Sequence, residues 1–172
     1  ILSRVLMLKR RGIRALVFAE THRTDLLLPP FGLLLFYLIF AHAFGWPRFG
    51  GGYWFAVPLL AWCGLIFQLL ALAFVAYALV SFGASFRIGI DAKTPDKLIT
   101  KGAFAWSRNP LYAGFLLWLL GNWLIFPNWL FALYFLLAGT AMHCQILREE
   151  DFCRAHYGGE YVAYCRRVGR YL

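Results

Sequence analysis

Long apolar stretches alternate with short charged segments along this chain of 172 residues. Four stretches contain no Asp, Glu, Lys or Arg: residues 26–44, 54–82, 111–126 and 129–146. A bilayer core about 30 Å thick needs about 20 apolar helical residues, and unpaired backbone groups are costly in lipid. The pattern therefore predicts an all-α integral membrane bundle of about four transmembrane helices.

The predicted spans differ in how well they match the bilayer. Residues 26–44 and 129–146 fit directly, whereas residues 54–82 must tilt strongly or project beyond the headgroups. Residues 111–126 are short, and Pro110 limits their extension at the start.

The last two spans are predicted to form a helical hairpin. Residues 127–128 leave room only for a tight turn between them. Small residues allow close approach of helices in a membrane. Gly114, Gly121 and Gly139 are therefore expected to bring these two helices together.

Basic residues collect on one side of the predicted bundle. They precede the first span, lie between the second and third, and follow the fourth, whereas Arg48 lies on the other side. By the positive-inside rule, both termini and the central loop are cytosolic. Topology and contacts with lipid headgroups account for the net charge of +9, and no nucleic-acid partner is expected.

This arrangement predicts a single domain, residues 1–172. Its five segments are a cytosolic or interfacial segment, the first two spans, a cytosolic loop, the helical hairpin and a cytosolic tail. In that order they are residues 1–25, 26–82, 83–110, 111–146 and 147–172.

Charged and aromatic side chains gather in the central loop and just after the fourth span. If that span continues as one helix, Ile146 and Glu150 are four apart and lie on the same face. Together the two segments suit a ligand with a ring, hydroxyls, an ammonium and a carboxylate. Composition alone favours the simpler interpretation, in which acids and bases pair at the headgroup level.

The order of residues in these segments is more specific than their composition. From Asp96 to Tyr112 the chain reads DKLITKGAFAWSRNPLY, and the hairpin, an Arg-Glu-Glu run and Tyr157-Gly-x-x-Tyr161 follow. This order resembles the isoprenylcysteine carboxyl methyltransferase and phospholipid methyltransferase families. Their motifs are L-V-x-x-G-x-Y/F, R-H/N-P-x-Y, E-E and F/Y-G-x-x-Y. The resemblance covers about residues 82–168, roughly half the chain.

The resemblance implies an S-adenosylmethionine-dependent methyltransferase that acts on a lipidic or hydrophobic acceptor at the cytosolic membrane interface. Its cofactor pocket would be formed by the central loop and the C-terminal helices. The residues implied to bind the cofactor are Asp96, Lys97, Leu98, Ile99, Phe104, Arg108, Asn109, Pro110, Tyr112, Glu149 and Glu150.

Individual roles also follow from the resemblance. Glu149 and Glu150 would hold ribose hydroxyls or the cofactor ammonium, and Arg108 would bind its carboxylate. Gln145 stands where isoprenylcysteine methyltransferases carry an Arg implicated in substrate handling, so it is the substrate-binding candidate and the acceptor stays open. An activated methyl needs positioning more than proton transfer, so no general base is assigned. His143 is interpreted as a hydrogen-bonded interfacial residue.

Other functions remain open from the sequence. An NADPH-dependent sterol-reductase-like enzyme shares a similar C-terminal motif block, and a non-catalytic membrane protein could use the same loop to bind lipid. The four cysteines form no CxxC pair, so reduced thiols and no metal site are expected. Residues 86–91 resemble bacterial members of the family, which suggests a bacterial inner membrane. The oligomeric state is not indicated.

Overall fold

The computed structural model describes residues 28–46, 52–82 and 98–172, and all regular structure in them is helical, as predicted. The helices are α1 (Leu28–Phe44), α2 (Pro58–Phe82), a short 3-10 helix (Gly102–Ala105), α3 (Pro110–Ile125), α4 (Trp129–Tyr157) and α5 (Gly159–Cys165). The described residues fall into two compact units. One contains α1, and the other contains the residues from Tyr53 onward.

Two helices are long and apolar enough to cross a membrane. They are α2, with 25 residues, and α4, with 29. The other two apolar helices, α1 and α3, have 17 and 16 residues, so their assignment as spans stays a prediction. The surface of α2 is itself apolar, with Leu59 69% and Val80 68% exposed. Such exposed apolar area is costly in water and indicates contact with lipid.

Helix α2 begins later than predicted. The apolar stretch starts at residue 54, but the helix starts at Pro58, because proline lacks a backbone N–H and fits the first turn. The residues before it take a different path, and the Trp54 backbone N–H donates to the Pro127 carbonyl oxygen at 2.7 Å. This contact closes one end of the bundle.

Helix α4 continues well beyond its apolar part. It runs through the charged residues that follow Ile146 and ends at Tyr157. Gly158 caps it, with a φ of +53° that suits a residue without a Cβ. Since the helix is continuous, Ile146 and Glu150 lie on one face, and both are buried, as the spacing predicted. The helix thereby carries a carboxylate into the packed interior at its polar end.

Glycines bring α2 and α3 into close contact. A Cβ on Gly121 would lie 2.8 Å from the Gly64 carbonyl oxygen, and one on Gly114 would lie 2.5 Å from the Val75 side chain. The prediction that Gly114 and Gly121 serve the α3–α4 hairpin is therefore wrong, since both face α2. Gly139 of α4 does face α3. Small residues mark a close approach but do not say which neighbour approaches.

Aromatic rings and one amide cap shape the end of the bundle where α2 begins and α3 ends. Trp54 and Phe55 both meet Trp123 edge to face, each with ring centroids 6.3 Å apart. Asn128 caps α4, its side-chain oxygen accepting from the Phe131 backbone N–H at 3.0 Å. This end, residues 53–58 and 123–128, is called the apolar end below.

Candidate functional site

The loop before α3 is fixed to the end of α2 by Ser81. Its hydroxyl accepts from the Ala103 backbone N–H at 2.9 Å and donates to the Tyr77 carbonyl oxygen at 2.8 Å. Gly102 has a φ of +66° and lies so close to Ser81 that a side chain would collide with it. The glycine of the first motif is thus required for backbone conformation and for space.

Phe104 packs inside this loop. The residue is 8% exposed, and its ring meets Phe82 edge to face at 4.7 Å between centroids. The Tyr164 hydroxyl donates to the Phe104 carbonyl oxygen at 2.6 Å. Burial raises the pKa of Tyr164 to about 12, so its hydroxyl keeps the proton that it donates. The structure gives Phe104 a packing role, and its contact with a cofactor stays a prediction.

Three guanidinium groups meet at the carboxylate of Glu150, which is 1% exposed. Arg170 binds both carboxylate oxygens, with its shortest contact at 2.9 Å. Arg108 lies at 3.4 Å and Arg154 at 3.7 Å. Asn109 Nδ2 donates to the same carboxylate at 3.3 Å. A buried charge of this kind is stable only because it is paired.

These partners keep Glu150 ionised. Burial by itself would raise its pKa, but the hydrogen bond from Arg170 and the charges of Arg108 and Arg170 outweigh burial and hold the pKa below its ordinary value. The same hydrogen bond is the main cause that raises the pKa of Arg170. The ion pair therefore persists at neutral pH.

The segment 169–171 lies against the Arg-Asn-Pro motif. The Arg108 backbone N–H donates to the Gly169 carbonyl oxygen at 3.0 Å. The Arg170 carbonyl oxygen accepts from Asn109 Nδ2 at 3.2 Å and from the Ser107 hydroxyl at 3.3 Å. Arg170 is thus held by its backbone to the loop and by its side chain to α4.

His143 binds the same segment. Its Nδ1 lies 2.6 Å from the Tyr171 hydroxyl, and the two rings are stacked. The interpretation of His143 as a hydrogen-bonded residue is confirmed by this contact. Because His143 precedes Glu150 by seven residues on α4, adjacent residues of segment 169–171 contact positions about two helical turns apart.

Glu149 has a different environment from its neighbour. It is half-buried, and its Oε1 accepts from the Tyr112 hydroxyl at 2.7 Å and from Gln145 Nε2 at 3.2 Å. Gln145 lies one turn earlier on α4. The structure therefore brings Tyr112, Gln145 and Glu149 together on the side of α4 next to the face that holds Glu150.

Arg108 is buried but incompletely bonded. Its side chain is 10% exposed, its Nη1 donates to Cys165 Sγ, and its Nη2 faces Glu150. Its Nε is buried with no hydrogen-bond partner among the described residues. Arg154 also pairs with Asp151 at 2.9 Å, so it is shared between two carboxylates.

The remaining predicted site residues fall into three groups. Pro110 is buried as the first residue of α3. Leu98 and Ile99 are half-buried in the irregular stretch before the 3-10 helix. Asp96 and Lys97 lie outside the described residues.

The sequence prediction missed four residues of this cluster: Ser107, Tyr164, Arg170 and Tyr171. Arg170 looks like the other arginines near it, and only its bond to a buried carboxylate distinguishes it. A signal was available, because a carboxylate that becomes buried beside one motif arginine needs further cations. That signal does not say which arginine supplies the charge.

Comparisons with known proteins bear on the family of the chain. The sequence matches the phospholipid methyltransferase family over residues 53–160. It is 33% identical over 119 residues to a probable protein-S-isoprenylcysteine O-methyltransferase of Oryza sativa subsp. indica, covering 67% of this chain and 60% of that protein. It is 29% identical over 115 residues to the protein-S-isoprenylcysteine O-methyltransferase of Xenopus laevis, covering 65% and 40%.

The fold also has a solved counterpart. The eukaryotic intramembrane Ras methyltransferase ICMT aligns with a TM-score of 0.65 and 20% identity, over 98% of this chain and 59% of that one. At this identity the likeness concerns the fold. The chain spans 60% and 40% of the length of the two curated relatives described above.

Proposed function

The chain belongs to the phospholipid methyltransferase family, and on this premise we propose that it is an enzyme that transfers the methyl group of S-adenosylmethionine to a lipidic or hydrophobic acceptor. The observation that carries the proposal is that two groups lie side by side at the polar end: the ion pairs of Glu150 with Arg108 and Arg170, and Glu149 with its hydrogen bonds from Tyr112 and Gln145. This polar end consists of residues 98–112, the α4 residues 143–157 and segment 169–171.

The residues at the polar end fit this cofactor, which carries a carboxylate, an ammonium and ribose hydroxyls. Arg108 has a buried Nε with no hydrogen-bond partner among the described residues, and a guanidinium group suits a carboxylate. Glu149 offers a carboxylate that suits an ammonium or a pair of hydroxyls. Arg108 and Glu149 thus offer opposite charges to the carboxylate and the ammonium of the amino-acid part of the cofactor.

When bound, the cofactor supplies a methyl group on a positively charged sulfur, which requires no further activation. The chain then has to bind the cofactor and the acceptor, orient them toward each other and exclude water from the site. Arg108 and Glu149 do the binding in this proposal, and Tyr112 and Gln145 fix the direction of the Glu149 carboxylate. No proton transfer to a side chain is needed to release the methyl group.

We place this site at the cytosolic face of a membrane crossed by four helices. Support comes from the apolar surface of α2, from the collection of basic residues on one side of the predicted spans, and from the length of α4. With the polar end at the interface, a charged cofactor enters from water and a hydrophobic acceptor enters from the bilayer. A bacterial inner membrane, with both termini cytosolic, is the proposed location.

The acceptor is proposed only as a class. The curated relatives are named for protein-S-isoprenylcysteine, a lipid-modified group, and this chain has Gln145 in the substrate position carried over from that resemblance. A lipid-modified or otherwise hydrophobic acceptor agrees with these names, and Gln145 leaves the reacting group of the acceptor open. The family match favours methyl transfer over the NADPH-dependent reductase and over a lipid-binding protein without catalysis.

Calorimetry with S-adenosylhomocysteine, the demethylated cofactor, tests the proposal on detergent-purified protein. Wild-type protein is expected to bind it, and Glu149→Gln is expected to bind it at least about tenfold more weakly, because charge-assisted hydrogen bonds are lost. Exposed Arg167→Ala is the matched control and should bind like wild type. A protein that binds NADPH but not S-adenosylhomocysteine would support the reductase instead. A protein that binds neither ligand would reject both the methyltransferase and the reductase.

A further inference from the structure

We propose that Arg170 is a positioning residue of the cofactor site, which occupies the Glu150 carboxylate and so leaves Arg108 available to the carboxylate of the methyl donor. This inference rests on the proposed function and adds to it. Arg170 lies beyond residues 53–160, over which the family match extends, and belongs to none of the four motifs.

Arg170 and Arg108 do not contact Glu150 equally closely. Arg170 reaches both oxygens of Glu150, at 2.9 to 3.2 Å, whereas Arg108 approaches one oxygen at 3.4 Å. A bidentate guanidinium–carboxylate pair is the stronger of the two geometries. Glu150, 1% exposed, is therefore bonded chiefly to Arg170, and in this proposal it positions the arginines and does not itself contact the cofactor, unlike the role implied by the resemblance. Arg108 keeps hydrogen-bonding capacity, shown by its unpartnered Nε.

The backbone of Arg170 holds Arg108 in this position. Its carbonyl oxygen accepts from Ser107 and Asn109, the residues on either side of Arg108. The loop that carries Arg108 is thus tied to the residue that competes with it for Glu150. Any displacement of Arg170 would move the binding arginine and release the buried carboxylate together.

Removal of Arg170 takes away the closest partner of the buried Glu150, and Arg154 is shared with Asp151. Arg108 is the nearer of the two remaining arginines, and Arg154 is half exposed at 3.7 Å. A buried carboxylate that has lost a partner gains most from drawing in the nearest cation. Arg108 would then pair closely with Glu150, and the affinity for the cofactor would fall.

A purely mechanical role makes a different prediction. Arg170 could simply fasten segment 169–171, which Tyr171 also fastens through His143. In that case Tyr171→Phe should weaken cofactor binding as Arg170→Ala does, and a second change at Glu150 should not help. If Arg170 acts through competition, removing the charge of Glu150 should restore binding.

The test measures S-adenosylhomocysteine affinity by calorimetry for wild type, Arg170→Ala, Arg170→Lys, Tyr171→Phe and the double variant Arg170→Ala with Glu150→Gln. Thermal unfolding in detergent verifies that each variant is folded. We expect Arg170→Ala to raise Kd about tenfold or more, Arg170→Lys to recover part of the loss, and the double variant to return within about threefold of wild type. Tyr171→Phe should stay within about twofold.

Calorimetry with S-adenosylmethionine gives a second readout. Arg170→Ala is expected to weaken binding of the methyl donor by about the same factor as binding of S-adenosylhomocysteine, because both carry the carboxylate that Arg108 binds in this proposal. A double variant no better than Arg170→Ala, or Tyr171→Phe equally impaired, would overturn the positioning role while the proposed function stands. Wild-type protein that binds no S-adenosylhomocysteine would remove the proposed function, and this inference with it.

Discussion

The two ends of the helical unit that begins at Tyr53 are closed in opposite ways. The apolar end is held by aromatic edges around Trp123 and surrounds a groove of about 250 Å³ lined by residues such as Tyr53, Val57 and Ile125. The polar end is held by ion pairs and hydrogen bonds around Glu150. Apolar packing is non-directional, whereas buried charges require specific partners.

This difference shows where a binding site can be built without loss of the fold. Apolar contacts at one end keep the helices together and tolerate a change of shape. Charged contacts at the other end set the direction of each donor and acceptor, so they can recognise a polar ligand. Substitutions should therefore separate into those that change ligand affinity and those that change stability.

Arg108→Ala is expected to have the largest effect. It removes the proposed partner of the cofactor carboxylate, so the Kd for S-adenosylhomocysteine should rise about 100-fold or more, which corresponds to roughly 2.7 kcal/mol. Calorimetry measures this Kd, and Arg167→Ala is the control at an exposed arginine. An Arg108→Ala protein that is folded and binds like wild type would break the assignment of the polar end.

Gly121→Ala should act on stability and not primarily on affinity. A Cβ there would lie 2.8 Å from the Gly64 backbone oxygen, so α2 and α3 must separate, at a cost of about 1–3 kcal/mol. Gly139→Ala is the matched control, since its Cβ would lie 3.5 Å from Leu116 in ordinary contact. Thermal unfolding in detergent should show a lower Tm for the first variant alone. Equal Tm values would contradict the close α2–α3 contact.

Tyr112→Phe tests one hydrogen bond of the polar end. It removes the donor at 2.7 Å from Glu149 and keeps the ring, so cofactor affinity should fall about fivefold to tenfold with little change in Tm. Calorimetry and thermal unfolding on the same sample give both numbers. A fall in Tm without any loss of affinity would assign Tyr112 to stability alone.

Phe55→Ala should have the smallest effect on the ligand. It removes an edge-to-face contact with Trp123 at the apolar end, which costs about 0.5–1.5 kcal/mol of stability. The Kd for S-adenosylhomocysteine is expected to stay within about twofold of wild type, because the change lies at the other end of the unit. A tenfold weaker Kd would show that the two ends are coupled.

Much of the fold follows from the sequence because the length of an apolar run indicates directly whether it can form a helix that crosses a bilayer. The four apolar stretches all contain helices, and the spacing of Ile146 and Glu150 places both on a buried face. The start of α2 was missed because hydropathy does not register that Pro58 begins the helix. The partner of Gly121 was missed because small residues carry no information about which neighbour approaches.

The candidate site was predictable where the chain supplies a motif and not where distant segments supply charge. Tyr112 and Glu149 belong to motifs, and the structure joins them through a hydrogen bond. Arg170 carries no local signal, because its role depends on a carboxylate twenty residues earlier that becomes buried only after folding. Their roles in binding a cofactor stay predictions.

Peptide-level hydrogen exchange with and without saturating S-adenosylhomocysteine tests the central claim most directly. The ligand should slow exchange in peptides from residues 98–112, 143–150 and 169–171, and should leave residues 53–58 and 123–128 unchanged. Protection confined to the apolar end, or no protection anywhere at saturating ligand, would contradict the assignment of the methyl donor to the polar end.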